Sequence, residues 1–303
     1  MIERFRQGKL LWVNLKNPSA EEVQKVLRDT DIPPTLMTDL TAVVPKNTVQ
    51  RAENTIKVTL DFPTIKNLDV EHQFEVKFLI SKGNLLTVQY EEMEGIDRYK
   101  RQFEVATTLR KNQRGLTGVH LFVSLFSNLY DTAHSKLEYI ESKLSEIESE
   151  IFKNNEKRMV YEISSISKQL IAFRHIIRGH EDVLEDLSQH IEDIYGEQFV
   201  REMRAIHNQY KLLKHKVNTQ YETLSALRET NSAMLTTKQN EIIKKLSIMA
   251  FVTFPLALFS SMFGMNVVSA PIIGQEHDFW IIVGIMVSVT IGFFTFFKRN
   301  GWM

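Results

Sequence analysis

The feature that most constrains this 303-residue chain is a pair of long uncharged segments near its C-terminal end. No Asp, Glu, Lys or Arg occurs from Leu246 to Gln275, or from Phe279 to Phe297. About 20 apolar helical residues cross a bilayer core of about 30 Å. Two consecutive segments of this length predict a membrane hairpin. The alternative is two buried helices of a soluble protein, which the otherwise highly charged sequence disfavours.

The charges that flank the two segments orient this hairpin. Lys244 and Lys245 precede the first segment and a basic pair at 298–299 follows the second, whereas the segment between them carries only the acids Glu276 and Asp278. Loops rich in Lys and Arg remain on the cytoplasmic side of a membrane. The pattern therefore predicts a protein of the plasma (inner) membrane with both termini in the cytoplasm. The two acids would attract cations to the outer loop.

The first span has a composition that the second lacks. Small or polar residues recur along one face at helical spacing, with a single large member, and these residues are Asn240, Ser247, Ala250, Phe254, Ala257 and Ser261. Small and polar residues are used in helix-packing seams and also line aqueous pores. The stripe alone leaves both interpretations open.

Residues 1 to about 115 have the pattern of a mixed α/β domain. Ser19 followed by Glu22 is a capping-box signature that predicts a helix start. Short apolar or alternating runs predict strands at Leu10–Leu15 and Thr55–Leu60, and a hairpin joins Phe74–Ile80 to Leu85–Tyr90.

Several function classes are disfavoured by what the sequence lacks. The chain has no Cys, which removes thiolate metal sites and a Cys nucleophile. Lys plus Arg and Asp plus Glu both number 37, which gives no support to a nucleic-acid binder. No Gly-rich phosphate loop, His-Glu-x-x-His motif or serine elbow occurs in the N-terminal region. The sequence therefore predicts neither an enzyme nor a resident cofactor.

From about Val119 the apolar residues follow the alternating three- and four-residue steps of coiled-coil helices. A first run ends at Asn154-Asn155, and a second extends from Ile163 to Ile194 with His180 in its seam. For His180, a buried and hydrogen-bonded role is favoured over a metal site. A third run begins at Phe199 and includes the polar seam residues Gln220 and Asn231. Because no Gly or Pro separates Gly196 from Pro255, we expect this third helix to continue into the membrane.

Charge is segregated along these helices. Between Glu181 and Glu197 the sequence has seven acids and no Lys or Arg. The next stretch carries the basic residues Arg201, Arg204, Lys211, Lys214 and Lys216. The acids either pack near this basic neighbour or form a cytoplasmic surface that attracts cations.

The predicted fold class is an α/β cytoplasmic domain followed by long coiled-coil-like helices and a two-span transmembrane hairpin, mainly α overall. The expected segments are the α/β domain at 1–118, antiparallel cytoplasmic helices at 119–196 and a stalk that becomes the first span at 197–266. They are followed by an outer loop at 267–278, the second span at 279–297 and a basic tail at 298–303.

A tripeptide at the outer end of the first span suggests a family. Gly264-Met265-Asn266 is followed by an acidic loop, one further span and a short basic tail, and this arrangement resembles the CorA-type magnesium transporter family, whose signature is Gly-Met-Asn. The similarity extends to Asn240-Glu241, Phe254-Pro255, the hairpin at 83–88 and the C-terminal residues 298–303.

This resemblance implies a homopentameric channel in the lipid bilayer, with the first span of each copy lining the pore. It places Gly264, Met265 and Asn266 in an outer selectivity filter, where Asn266 would bind the hydrated ion. The positions that would line the conduction path are Asn240, Ile243, Leu246, Phe254, Ala257 and Ser261. The family often has Met at the position of Phe254, and Glu276 or Asp278 would replace an outer-loop motif that this chain lacks.

The transported ion is expected to be Mg²⁺, with Co²⁺ and Ni²⁺ as surrogates, and Mg²⁺ is also expected to regulate the channel from the cytoplasm at positions that the resemblance does not assign. One alternative is a Zn²⁺ transporter on the same scaffold, although no cluster of Cys or His lines the expected path. A membrane-anchored coiled-coil scaffold without transport is the other alternative.

Overall fold

The computed structural model describes residues 1–30, 32–37, 39–43, 47–63, 74–108, 117–265 and 277–302. It divides the chain into two compact units, Met1–Arg228 and Glu229–Met303. We call these the cytoplasmic unit and the hairpin unit, after the location that the sequence predicts for each. The predicted fold class is confirmed, since an α/β domain is followed by long helices and two apolar C-terminal helices.

The cytoplasmic unit contains a six-stranded sheet in the order β1-β2-β6-β5-β4-β3. All neighbouring strands are antiparallel except β2 and β6, which run parallel. The strands are β1 Ile2–Gln7, β2 Leu10–Lys16, β3 Thr48–Ala52, β4 Thr55–Phe62, β5 Phe74–Ile80 and β6 Asn84–Gln89. The predicted hairpin is β5–β6, and its register joins Ile80 to Leu85.

One face of the sheet is covered by the first helix, α1 (Ala20–Asp29), and by a short 3₁₀ turn at Pro34–Met37. The predicted capping box starts α1, because the Glu22 amide donates to Ser19 Oγ and the Ser19 amide donates to a Glu22 carboxylate oxygen, each at 3.2 Å. The core on this side is made of aliphatic residues such as Leu79 and Val88.

The opposite face is covered by long helices. The helices of this region are α2 (Glu94–Thr108), α3 (Gly118–Phe152), α4 (Glu156–Arg178), α5 (His180–Tyr195) and α6 (Val200–Phe263). α3 and α5 pack on the sheet, and the N-terminal part of α6 contacts α3 and α5. Phe78 of β5 packs edge-on against Phe122 of α3, with ring centroids 5.3 Å apart. Gly118, at the start of α3, allows this close approach, since a Cβ there would lie 2.1 Å from the Ser81 carbonyl oxygen.

The second seam run is divided into two helices, whereas the sequence pattern is continuous from Ile163 to Ile194. The division occurs at Gly179, between α4 and α5. A Cβ on Gly179 would lie 2.4 Å from the Asn47 side-chain nitrogen. The apolar period continues across the break, so periodicity alone does not reveal it. The break is accompanied by the close contact between Gly179 and Asn47, which are far apart in sequence.

His180 begins α5 and is fully buried, which confirms the structural interpretation. Its Nδ1 lies 2.9 Å from the Tyr130 hydroxyl, and its Nε2 lies 2.6 Å from the Asp61 carbonyl oxygen. Burial lowers the pKa of His180 to about 4, because a charged imidazolium is poorly solvated there.

The seam of the stalk helix is buried as its pattern predicts, from Phe199 through Leu227. The polar seam residue Gln220 is 4% exposed, and its side-chain amide donates to the Leu137 carbonyl oxygen at 2.7 Å. This bond fixes α6 against α3, in keeping with the register-setting role of a buried polar seam residue.

The hairpin unit contains the C-terminal part of α6 and the whole of α7 (Asp278–Arg299). Both helices are long and apolar enough to cross a membrane. In the most apolar segment of each, 6% of the α6 segment and 0% of the α7 segment is buried. Such exposure differs from that of a core helix in a soluble protein. The predicted span at 279–297 lies within α7.

Candidate channel helix

The candidate site is the C-terminal part of α6, where the sequence predicts a pore-lining face. α6 continues through Pro255 to Phe263. Proline has no amide hydrogen, so the carbonyl of Phe251, four residues earlier, lacks its helical partner. In a membrane such a group is tolerated where a neighbouring helix or a water-filled cavity can satisfy it.

The shielded and exposed faces of this span are on opposite sides of the helix. The less exposed side chains of the span include Ile248, Val252, Leu256 and Phe263, which recur at helical spacing. α7 is the other described helix of this unit, and it is therefore the described element that can shield this face.

The six residues predicted to line the pore lie away from this shielded face, and all six are exposed: Asn240, Ile243, Leu246, Phe254, Ala257 and Ser261. Phe254 is the most exposed large residue among them, at 73%. The structure thus brings the six positions to one unpartnered side of the helix. Apolar residues on the flanking sides, such as Met249 and Leu258, are also exposed. The small or polar members of the predicted face, Asn240, Ala257 and Ser261, rather than exposure, distinguish it.

Gly264 ends the helix at the first residue of the tripeptide. Its amide donates to the Ser260 carbonyl oxygen at 3.0 Å, and the Met265 amide donates to the Met262 carbonyl oxygen at 3.4 Å. A Cβ on Gly264 would lie 3.2 Å from the Ser260 oxygen, closer than an ordinary contact. Glycine therefore permits the tight helix end, and the side chain of Met265 is 61% exposed beyond it.

Two of the predicted site residues, Asn266 and Glu276, lie outside the described residues. The remaining polar residue predicted near the outer mouth, Asp278, lies in the first turn of α7. Its carboxylate accepts a hydrogen bond from the Phe279 amide at 2.7 Å. A carboxylate at this position stabilises the helix N-terminus, a structural role that exists beside the predicted attraction of cations.

The basic residues at the predicted cytoplasmic ends of the two spans lie close together. Lys244 Nζ donates to the Gly301 carbonyl oxygen at 3.2 Å, and the chain after α7 turns back so that the Trp302 amide donates to the Phe297 carbonyl oxygen at 3.0 Å. The Trp302 ring lies 5.9 Å from that of Phe297. A tryptophan beside Lys and Arg suits the interface between lipid and cytoplasm.

Among the residues that the structure describes, no three His, Asp or Glu side chains are arranged to hold a metal ion. The sequence predicts no regulatory position in the cytoplasmic unit.

Comparison with known proteins places this architecture in a family. The sequence profile described as CorA-like Mg²⁺ transporter protein matches residues 7–299. The chain belongs to the CorA-like Mg²⁺ transporter family. Membership places it among divalent-cation transporters of membranes, and the predicted resemblance is confirmed.

Individual relatives are distant but cover most of the chain. The cobalt/magnesium transport protein CorA of Thermotoga maritima is 22% identical over 96% of this chain and 83% of its own length. The complete structure of the CorA magnesium transporter from Methanocaldococcus jannaschii has a TM-score of 0.82 at 19% identity, over 99% of this chain and 93% of that one.

A second solved structure matches part of the chain. The ZntB cytoplasmic domain from Vibrio parahaemolyticus has a TM-score of 0.52 at 14% identity, over 74% of this chain and 87% of that one. Likeness at these identities shows that the fold is shared.

Proposed function

We propose that five copies of this CorA-family chain form a channel that admits Mg²⁺ across the plasma membrane into the cytoplasm. The first span of each copy lines the pore, and a ring of Asn266 side chains forms its outer mouth. Both termini lie in the cytoplasm. Co²⁺ and Ni²⁺ are expected to pass as surrogates.

The observation that supports this proposal is the unpartnered polar side of α6. Within the span, the exposed face that includes Ala257 and Ser261 is directed away from the shielded side of its own hairpin, and Asn240 lies on the same side of α6 below the span. Polar groups facing lipid are costly, and within membranes they are found against other helices or water-filled paths. Copies of the helix arranged around a common axis would satisfy both requirements, because the polar faces would meet at a hydrated centre.

The chemistry of Mg²⁺ suits an amide ring at the mouth. Mg²⁺ loses its water reluctantly and usually keeps several of its water ligands. The carboxamide oxygens of Asn266 can accept hydrogen bonds from that water shell without displacing it. Because these oxygens are neutral, they also bind weakly enough to release the ion, as conduction requires.

Further along the pore, the large apolar side chains of Leu246 and Phe254 suit a gate. Both are exposed on the proposed pore face, at 58% and 73%. A ring of apolar side chains can block ions by excluding water from a narrow constriction. An inward-negative membrane potential then drives entry through the open gate, with about 2.3 kcal/mol per charge per 100 mV.

Mg²⁺ is also proposed as the regulatory ion on the cytoplasmic side. The described part of a single chain holds no three-ligand metal group. A regulatory site shared between copies would have its ligands divided between two chains. Bound cations would then offset the repulsion between acids of neighbouring copies, and their loss would release the gate.

A second candidate function is Zn²⁺ transport on the same scaffold. The observation in its favour is the fold shared with the ZntB cytoplasmic domain. The residues proposed to line the pore include no His, and the chain has no Cys, so the path lacks the ligands that Zn²⁺ prefers. This donor set favours a hard, hydrated cation.

Uptake into proteoliposomes tests both candidates. The purified chain is reconstituted in vesicles that contain a Mg²⁺-sensitive dye, and Mg²⁺ is added outside. Saturable uptake supports the channel, and its absence would leave the membrane-anchored scaffold as the better account. Addition of Zn²⁺ then separates the ions, because a Zn²⁺ transporter would take up Zn²⁺ in preference and its Mg²⁺ flux would be suppressed.

The mouth is tested by Asn266→Ala. Loss of the amide oxygen removes the hydrogen bonds to the hydrated ion, so we expect transport to be abolished while the oligomer remains assembled. Asn300→Ala is the matched control, because Asn300 is an exposed residue just after α7 and outside the proposed pore. Undiminished Mg²⁺ flux in Asn266→Ala would remove this residue from the filter.

A further inference from the structure

The segregated charges of α5 and α6 are only partly neutralised within one chain. Lys214 Nζ contacts the Glu181 carboxylate at 2.7 Å, and Arg51 contacts the Asp193 carboxylate at 3.4 Å. The first pair agrees with the interpretation that the acids pack near a basic neighbour. The remaining acids of the stretch are not accounted for by these two pairs.

We define the acidic face of α5 by four of these remaining acids. All four are exposed and lie opposite the buried residues Val183, Leu187 and Ile191. Within the described parts of the chain, none of the four forms an ion pair. They are Asp182, Glu185, Asp186 and Glu192.

We define the basic face of α6 in the same way, by Arg201, Arg204 and Lys211. These side chains are exposed and lie opposite the buried Met203 and Tyr210. None of the three has an ion-pair partner among the described residues. Their face also carries a large apolar residue, Leu212, which is 62% exposed. A single exposed leucine is common on protein surfaces, so the unpaired charges are the distinguishing feature of this face.

The two faces do not neutralise each other within one copy. A cleft of about 290 Å³ lies between α5 and α6, lined from one side by Ser188 and Glu192 and from the other by Arg204 and Lys211. No ion pair crosses this cleft between the residues that line it. Each charged face therefore remains available to another molecule.

We propose that the acidic face of α5 in one copy docks on the basic face of α6 in the next copy. This inference rests on the proposed function, because it names a cytoplasmic contact that helps to close the ring. A cyclic ring is built from contacts between two different surfaces of each subunit, and two faces of opposite charge supply such a pair. Charge complementarity fixes the register of the contact and disfavours pairing of like faces, while Leu212 becomes buried.

Cross-linking between copies tests the contact directly, since the chain has no Cys of its own. A tagged chain carrying Asp186→Cys is co-expressed with an untagged chain carrying Arg204→Cys. The assembled full-length protein is then treated with a short bismaleimide. We expect cross-linked dimers of a tagged and an untagged chain. Their yield should be several-fold higher than in the control, in which the untagged chain carries Lys168→Cys instead of Arg204→Cys. Lys168 is an exposed residue of α4 and belongs to neither face.

The outcomes of this experiment separate the inference from the proposed function. If the assembled chains transport Mg²⁺ but Asp186→Cys cross-links to Arg204→Cys no better than to Lys168→Cys, the contact is wrong and the channel stands. If the purified wild-type chain is monomeric and takes up no Mg²⁺, the proposed function fails and the contact fails with it.

Charge reversal provides a second measurement. The triple variant Arg201→Glu, Arg204→Glu and Lys211→Glu places like charges opposite each other. We expect about a tenfold loss of association between copies at low salt, measured by native mass spectrometry. Adding Asp182→Lys, Glu185→Lys and Asp186→Lys in the same chain should restore association. The equal reversal Lys157→Glu, Arg158→Glu and Lys168→Glu on α4 should leave it unchanged. Failure of the combined variant to recover, with the α4 control intact, would overturn the proposed contact.

Discussion

The cytoplasmic unit and the hairpin unit solve the problem of burial in different ways. In the cytoplasmic unit the apolar faces of strands and helices meet within one chain, so that Phe122 and Phe126 are fully buried. In the hairpin unit, Ile248 and Phe297 are the only large apolar side chains that are buried among the described residues of both helices. The first unit completes its core alone, whereas the second leaves its apolar side chains exposed, as a membrane hairpin does.

This difference changes the meaning of an exposed residue. On the cytoplasmic unit exposed apolar residues such as Leu212 and Phe152 lie in a largely charged surface, and a single one of them is ordinary. On α6 of the hairpin unit exposed apolar residues are the rule, since lipid covers them. There the exception is an exposed small or polar residue, such as Ala257 or Ser261.

The largest expected effect on stability is that of Phe126→Ala in the cytoplasmic unit. The Phe126 ring packs against Phe62, Phe78 and Tyr130, with centroids 4.9 to 5.9 Å apart. Truncation should leave a cavity and lower the free energy of unfolding by about 3–5 kcal/mol. Urea denaturation of the detergent-solubilised protein measures this. Phe152→Ala is the control, because Phe152 is 63% exposed and its loss should have little effect.

A slightly smaller effect is expected from acidification through His180. The pKa of His180 is about 4 in the folded chain and about 6.5 when unfolded. Below pH 6.5 the unfolded chain therefore binds a proton that the folded chain does not, so stability should fall as the pH decreases from 6.5 to 4. The loss should approach about 3 kcal/mol.

The difference in stability between pH 7 and pH 4.5 should be smaller in His180→Gln, because the titrating group is gone. His215→Gln serves as the control, since His215 is exposed on α6. If His180→Gln and the wild-type chain lost the same stability on acidification, other groups would account for the pH dependence.

A Phe→Ala substitution should act differently in the hairpin unit than Phe126→Ala does in the cytoplasmic unit. Phe254→Ala removes a 73% exposed side chain, so it should cost little stability but weaken the dewetted constriction. We expect a several-fold increase in Mg²⁺ leak into vesicles when the channel is inhibited by high Mg²⁺. Phe294→Ala on α7, at 47% exposure, should not leak. Normal inhibition in Phe254→Ala would exclude this residue from the gate.

The smallest effect is predicted for Gly264→Ala. The added Cβ would lie 3.2 Å from the Ser260 oxygen, so the helix end must shift by a few tenths of an ångström. We expect Mg²⁺ flux to fall a few-fold while assembly is retained. Gly292→Ala on α7 is the matched control, because a Cβ there meets nothing within 4 Å. Equal flux in both variants would show that the tripeptide tolerates a side chain at its first position.

The predictability of the two units also differs. The seam of α6 and the uncharged spans follow directly from residue spacing, because a regular helix repeats every 3.6 residues. Strands β1 and β3 at the sheet edges and helix α2 are not predicted, since the two strands are short and all three segments are mostly polar. The break at Gly179 was also missed, because its close contact with Asn47 links positions far apart in sequence.

The sequence by itself determined the long helices, the two spans and the family, because apolar periodicity, the absence of charge and the Gly-Met-Asn tripeptide are local properties. Only the tertiary structure decided that α3 and α5 pack on the sheet, that His180 is buried against Tyr130, and that the polar side of α6 is left unpartnered. The physical reason is that burial depends on what lies opposite a residue in space, and a linear pattern specifies which side is apolar but not what will cover it.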